Sequence, residues 1–463
     1  MTADAPPQAP GSFLLGATLA LQRDQLGTYA RAMETLGDIA RFRVGPPGIG
    51  FTFDTVFSPE GAHRVLAGDA GSYVKDAPVI GEFRYFLGNG LLVSEGERWR
   101  AHRRIAQPLF TRRAVTGHLD TVAAAAEDLG GWCDEAARSG EPVDLHVLSM
   151  RYALHALGHT VFGDDIVEAA PTLRAALPPL GEHLKKRSLA PVRSPHSWPT
   201  PANRRAEGIR RTVWGLADAL IAKRRAAGTG SARSDLLSRL LNAKDPETGQ
   251  GLSDDDVRDE AIIFLIAGHE TTGSALAFTL YLLGRHADVQ ERARAEATET
   301  TPGDVDSLRY TAQVVNEAMR LYPPAHTVVR KASKATELLG YPVDEGRIVA
   351  VNIWGVHHRP DVWPDPFRFD PDRFGAAGLR GPNAAAGSEG RRSRYTHVPF
   401  GGGPRACIGE HLAMAELVAA VAAVLRRYRL VSLGDKPDIE VDLALRPKGT
   451  LPCRLEPVSP TGP

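Results

Sequence analysis

The hydrophobic pattern is helical over most of the chain. Its longest run opens at Ser253-Asp254-Asp255-Asp256, an N-cap with an acidic first turn, and continues to about Arg285 without a proline. At 1.5 Å per residue this helix spans about 50 Å, enough to cross the molecule. Its centre, Ala261-Ile262-Ile263-Phe264-Leu265-Ile266-Ala267-Gly268, is apolar on every side and is expected to be buried on every side. The run His269-Glu270-Thr271-Thr272 then lies in a buried helix, which is costly unless those groups have partners or a task. Thr271 can bond back to a carbonyl one turn earlier, and Glu270 can pair with a distant arginine.

Elsewhere the pattern predicts a helix over Tyr29–Ala40, strands over Ile39–Val44 and Gly50–Phe57, and an aromatic, glycine-containing loop over Asp76–Gly90. Ser94 and Glu97 make a capping-box signature for a helix in which Trp99 and Arg103 share one face. The proline-rich span from about Ala170 to Arg205 predicts a mobile segment between two helices, with Lys185-Lys186-Arg187 on a solvated face. Polar loops are expected at Ala226–Ser234 and Asn242–Leu252, and Asp306 is expected to cap a helix carrying Glu317 and Arg320 three apart. Two prolines force Tyr322–Arg330 off the helical path. Short strands follow at Glu337–Tyr341 and Ile348–Asn352. His357 and His358 point apart on any regular element, so they are not read as a metal pair. Gly375–Arg394 is a low-complexity loop.

Composition excludes several classes. The 463 residues carry 55 Lys plus Arg against 55 Asp plus Glu, so no global charge draws the chain to nucleic acid or acidic membranes. Three cysteines, Cys133, Cys407 and Cys453, argue against a disulfide framework and for a reducing cytoplasm. The apolar patch from Ser12 to Leu21 is too short to span a bilayer, so no membrane anchor is expected, and the first ten or so residues are expected to be disordered.

The stretch Phe400-Gly401-Gly402-Gly403-Pro404-Arg405-Ala406-Cys407-Ile408-Gly409 concentrates the chemistry. Three glycines and a proline force a sharp turn that lets backbone approach something flat. Cys407 then falls at the mouth of a helix, where free amides and the helix dipole favour a metal-binding thiolate. Arg405 adds a permanent cation that calls for an anion.

Phe400, Gly403, Arg405, Cys407 and Gly409 meet the pattern Phe-x-x-Gly-x-Arg-x-Cys-x-Gly, and this loop resembles the haem-binding loop of the cytochrome P450 family. Trp99/Arg103, Ala267–Thr272, Glu317/Arg320 and Arg373 are similar to that family's other motifs, in the same order. The resemblance implies one mostly α domain over 1–463 with a minor β region, its long central helix crossing a b-type haem opposite the cysteine loop.

It further implies that Cys407 is the axial thiolate, that Phe400 packs beside it, and that Trp99, Arg103, Arg330 and Arg405 bind the haem propionates. Gly268 would leave room beside the iron, Thr271 would orient dioxygen and Glu270 would relay protons. Glu317, Arg320 and Arg373 would form a buried structural triad. Phe83, Phe86, Ile263, Phe264, Ala267 and His326 would line the substrate pocket. The implied activity is insertion of one oxygen atom from O2 into a small lipophilic molecule, a tailoring step on a terpenoid or polyketide. Electrons would come from NAD(P)H through ferredoxin reductase and ferredoxin to a soluble cytoplasmic monomer with no fused reductase. Arg112, Arg113, Arg391, Arg392, Arg426 and Arg427 would make a basic patch for that donor. A fatty-acid hydroxylase, a peroxide-using or non-oxygenating member, and a catalytically silent haem-binding partner are the alternatives.

Overall fold

The computed structural model describes residues 5–163, 166–188, 190, 193–226, 235–375, 394–442 and 444–458. The helices that build the site are, in chain order, α1 (Gln25–Leu36), α2 (Pro78–Leu87), α3 (Gly96–Ala106), α4 (Leu119–Ser139), α5 (Leu145–Leu157), α6 (Ile166–Ser188), α7 (Pro201–Ala226), α8 (Asp254–Leu283), α9 (Ala287–Glu299), α10 (Arg309–Leu321) and α11 (Glu410–Arg427). The largest sheet has five strands, in the spatial order Ile39–Val44, Phe51–Val56, Ile348–Asn352, Thr327–Ala332 and Tyr73–Val74. All its pairings are antiparallel except that of Phe51–Val56 with Ile348–Asn352. The fold is therefore mostly helical with a small β region.

α8 organises the helical part. Its capping box is complete: Ser253 Oγ accepts from the Asp256 N–H at 3.1 Å, and Asp256 Oδ2 accepts from the Ser253 N–H at 3.2 Å. Its composition would suit a membrane span, but 78% of its most apolar window is buried inside the protein. α5 lies close along it because Gly268 and Gly273 present no side chain: a Cβ on Gly273 would sit 2.5 Å from Met150 Sδ. The buried triad is present in full. Glu317 accepts two hydrogen bonds from Arg320, at 2.7 and 2.8 Å, and one from the Asp370 N–H at 3.0 Å, with Arg373 Nε at 3.4 Å.

Several elements depart from the sequence expectation. Gln8 bridges to Arg41 and Ala9 is buried, so disorder does not extend through the first ten residues. Asp76–Gly90 holds α2 rather than a loop, with Pro78 at its first turn. Glu95, not Ser94, is the N-cap of α3, and no side-chain cap forms because the Glu95 carboxylate is engaged by the Lys75 N–H and by Arg405. Asp306 pairs with Arg112 instead of capping α10, whose first amides, on Tyr310 and Thr311, bond Glu296.

α6 runs through Pro171, Pro178 and Pro179, because burial of Leu173, Leu177, Leu180 and Leu184 along one face outweighs the lost amide bonds. Of its basic run only Lys186 is exposed to solvent: Lys185 reaches Asp442 at 3.0 Å, and Arg187 grips Glu82 of α2, which also holds His196 at 2.9 Å. Arg112, Arg426 and Arg427 are likewise committed to local partners. The loops expected at 227–234 and 376–393, with Arg391 and Arg392, lie outside the described residues.

Candidate active site

The cysteine loop is set by its own backbone. The Cys407 N–H donates to Phe400 O at 2.8 Å, and the Ala406 N–H to Gly403 O at 3.1 Å. Gly403 has φ +67°, and a Cβ there would lie 1.8 Å from Leu66 O, so no larger residue fits. α11 starts three residues after Cys407, and the Gly409 N–H bonds toward the sulfur. Burial nonetheless pushes the Cys407 thiol up, with Gly409, Arg103 and Lys75 opposing, so the helix start alone does not make a thiolate here.

Cys407 opens into a cavity of about 330 Å3 rather than into packed side chains. α8 forms one wall with Ile263, Phe264, Ala267, Gly268 and Thr271, and α5 with the segment after it adds Leu157 and Val161. Phe400 lines the cysteine side. The centre of α8 is buried all round except where Ala267, Gly268, Glu270 and Thr271 face open space. Gly268 lines the cavity, but a Cβ there would first meet Leu157 Cδ1 at 2.9 Å.

One edge of the cavity is cationic. Lys75, Arg103, Arg330 and Arg405 line it, with Glu95 as their carboxylate neighbour. Arg405 donates to Ser94 O at 2.8 Å and Glu95 Oε2 at 2.6 Å, and stacks 3.9 Å over Trp99. Arg103 donates to Ala406 O at 3.0 Å. Arg330 is buried and donates only to Val329 O, and desolvation pulls it down to about 10. Lys75 is held well below its usual range by burial and by Arg330 and Arg405. The sequence reading missed Lys75, which sits in an unremarkable Tyr73-Val74-Lys75 context.

On α8, Thr271 Oγ1 donates to Ala267 O at 2.5 Å, which fixes the hydroxyl at the cavity wall. Glu270 is half-buried, and desolvation raises it to about 7, with Arg446 lowering it and Asp442 raising it. Its nearest cation is Arg446 Nε at 4.0 Å, itself bonded to Glu440 and Asp442. Upstream, Asp259 and Glu260 of α8 accept from the Asn89 and Leu91 N–H groups, holding the Leu91–Leu92 part of the wall.

A second cavity of about 300 Å3 adjoins the first and shares Lys75, Leu92, Val328 and Arg330 with it. Phe83 and His326 line this one instead of the cysteine cavity; His326 is buried, and desolvation pushes it down to about 4, so it is neutral. Phe86 lines neither: it is a core residue between Tyr85 and His183. Glu416 of α11, which the sequence reading passed over, lines the cysteine cavity and is raised to about 8 by burial, with Thr160 as its hydrogen-bond partner. Its signal was the one that singled out Glu270, a lone carboxylate in an apolar helix.

The family model described as Cytochrome P450 matches residues 6–454. A cyclooctat-9-en-7-ol 5-monooxygenase of Streptomyces melanosporofaciens is 36% identical over 438 residues, covering 91% of this chain and 89% of the relative. A cyclooctatin synthase of the same organism is 31% identical over 91% of this chain and 89% of its own. The crystal structure of the cytochrome P450DA heme domain superposes with a TM-score of 0.82 at 26% identity, covering 99% of both chains. A cysteine loop facing the Thr271 hydroxyl across one apolar cavity, whose lining does not include Glu270, is thus embedded in a chain that belongs, over nearly its whole length, to the cytochrome P450 family of haem-iron monooxygenases.

Proposed function

We propose that this monooxygenase hydroxylates a cyclic terpenoid in bacterial specialised metabolism, with Cys407 as the iron ligand and Glu270 and Thr271 delivering protons. The observation that carries the reading is the cationic cavity edge: three arginines, Arg103, Arg330 and Arg405, against one carboxylate leave an excess of positive charge. The two propionates of a b-type haem supply the missing anions, so these residues fit the group. Trp99, Arg103, Arg330, Arg405 and Lys75 would hold the propionates, and Cys407 Sγ would ligate the iron.

When bound, haem iron supplies activation of O2. The chain supplies position and protons. Glu270, near 7, takes up and gives up a proton readily at physiological pH. The Thr271 hydroxyl, fixed by Ala267 O, passes it into the cavity. The apolar lining from Ile263, Phe264, Leu157 and Val161 excludes water and suits a hydrocarbon skeleton. The name of the 36% identical relative, a monooxygenase of cyclooctat-9-en-7-ol, supports a cyclic, unsaturated alcohol as substrate. Electrons are taken to come from NAD(P)H through a ferredoxin in the cytoplasm.

Two measurements test the reading. A red-shifted Soret band of the reduced carbon monoxide complex, lost in Cys407→His, is expected; an unshifted wild-type band would overturn the ligand assignment. Thr271→Ala should keep the spin-state response to cyclooctat-9-en-7-ol but divert reducing equivalents into hydrogen peroxide. Normal coupling in that variant would remove Thr271 from the proton path.

A further inference from the structure

Away from the cavity, three metal-ligating side chains converge on the outer side of its α5 wall. Asp128 comes from α4, His155 from the last turn of α5, and His159 from the π-helical turn Gly158–Phe162 that follows. One ligand atom from each lies within 4.8 Å of the other two. His155 Nε2 is 2.8 Å from Asp128 Oδ2, and the two imidazoles stand 4.3 Å apart at 80°. Asp128 is exposed and both histidines are half-buried, so the cluster is open to an ion and to water.

We propose that Asp128, His155 and His159 form a binding site for a borderline-soft divalent cation, zinc being the best match. Two imidazole nitrogens and one carboxylate oxygen are a zinc ligand set, with water completing a tetrahedron. His159 follows His155 by four residues, which puts both imidazoles on one helix face, at the point where the helix widens into a π turn, a local distortion that is often found at functional sites. Trp132 of α4 packs edge-on to His155 at 5.1 Å, and Arg151, one turn earlier, stacks on that indole at 3.8 Å. The site therefore has an aromatic wall on one side and solvent on the other.

The residues between and beside the ligands give the site its consequence. Leu157 and Val161, which flank the same turn, point into the cysteine cavity. An ion bridging α4 to His155 and His159 clamps the backbone that carries both, and so fixes that part of the cavity wall from outside.

The haem-loaded protein should take up one equivalent of zinc in competition with a chromophoric chelator, and should not respond to magnesium, a hard cation that prefers oxygen ligands. Asp128→Asn and His159→Gln should each weaken zinc binding by at least about tenfold. Both are surface changes, and unaltered circular dichroism would show that they fold. Zinc should raise the melting temperature of the wild type and not of the double variant. Absence of zinc uptake, or equal uptake by wild type and both variants, would overturn the proposal.

Discussion

Glu317 and Glu270 are both helical glutamates, yet the protein treats them in opposite ways. Glu317 accepts three hydrogen bonds, two from Arg320 and one from the Asp370 amide, and has the Arg373 guanidinium beside it at 3.4 Å. Glu270 has one arginine at 4.0 Å and, among the described residues, no hydrogen-bond donor. The difference separates a strut from a working acid. Burial raises both carboxyls, but at Glu317 the hydrogen bonds from Arg320 and the Asp370 amide oppose it and tie α10 to the Asp370–Arg373 segment. At Glu270 only Arg446 opposes desolvation, which leaves the carboxyl near 7 and its proton exchangeable near neutral pH.

The sharpest way to break the comparison is to unpair the strut. Glu317→Gln leaves Arg320 buried without its counter-charge and should cost about 3–5 kcal/mol in denaturant unfolding. The same change at Glu270 should act in the other direction on stability. Its folded pKa is raised from 4.5 to about 7, so the wild type is stabilised fully below 4.5 and loses that stabilisation as pH rises through 7. Glu270→Gln removes the loss and should be more stable than wild type at pH 8, by up to about 3 kcal/mol. Its turnover should nevertheless fall by about 100-fold or more, measured as product per electron consumed.

A subtler change separates the acid from its arginine. Arg446 lowers Glu270, so Arg446→Leu should move the limb of the pH–rate profile that reports Glu270 to higher pH, with Arg446→Lys between it and wild type. An unmoved profile would mean that Arg446 serves only the Glu440–Asp442 hairpin. The smallest effect is expected at Gly268→Ala: the new methyl meets Leu157 Cδ1 at 2.9 Å, the movable end of a side chain, and should cost about 1 kcal/mol by thermal unfolding.

What could be read from the chain alone follows from distance along it. Cys407 with its glycines, Trp99 with Arg103, and Glu317 with Arg320 are short-range patterns whose geometry a turn or a helix fixes, and each stands where its spacing predicts. Lys75, Leu157, Val161 and Arg446 reach the site through tertiary packing and carry no local signature. Pro178 and Pro179 misled for a related reason: propensity argued for a break, but the leucine face of α6 was worth more once it had a core to enter. Phe86 shows the reverse, an aromatic that the family resemblance assigned to a pocket and packing took into the core.

The contacts of the cysteine loop also order the protein's assembly in time. Arg103 bonds Ala406 across 303 residues, Arg405 reaches back to Ser94 and Glu95, and Gly403 seats on Leu66. A ribosome makes Leu66 and Arg103 long before it makes Cys407, so one side of the cofactor cradle waits through most of synthesis with its cations uncovered. Closing so long a loop is entropically slow, and the thiol is the last part to arrive. The cradle is therefore complete only once the chain has been made as far as Cys407.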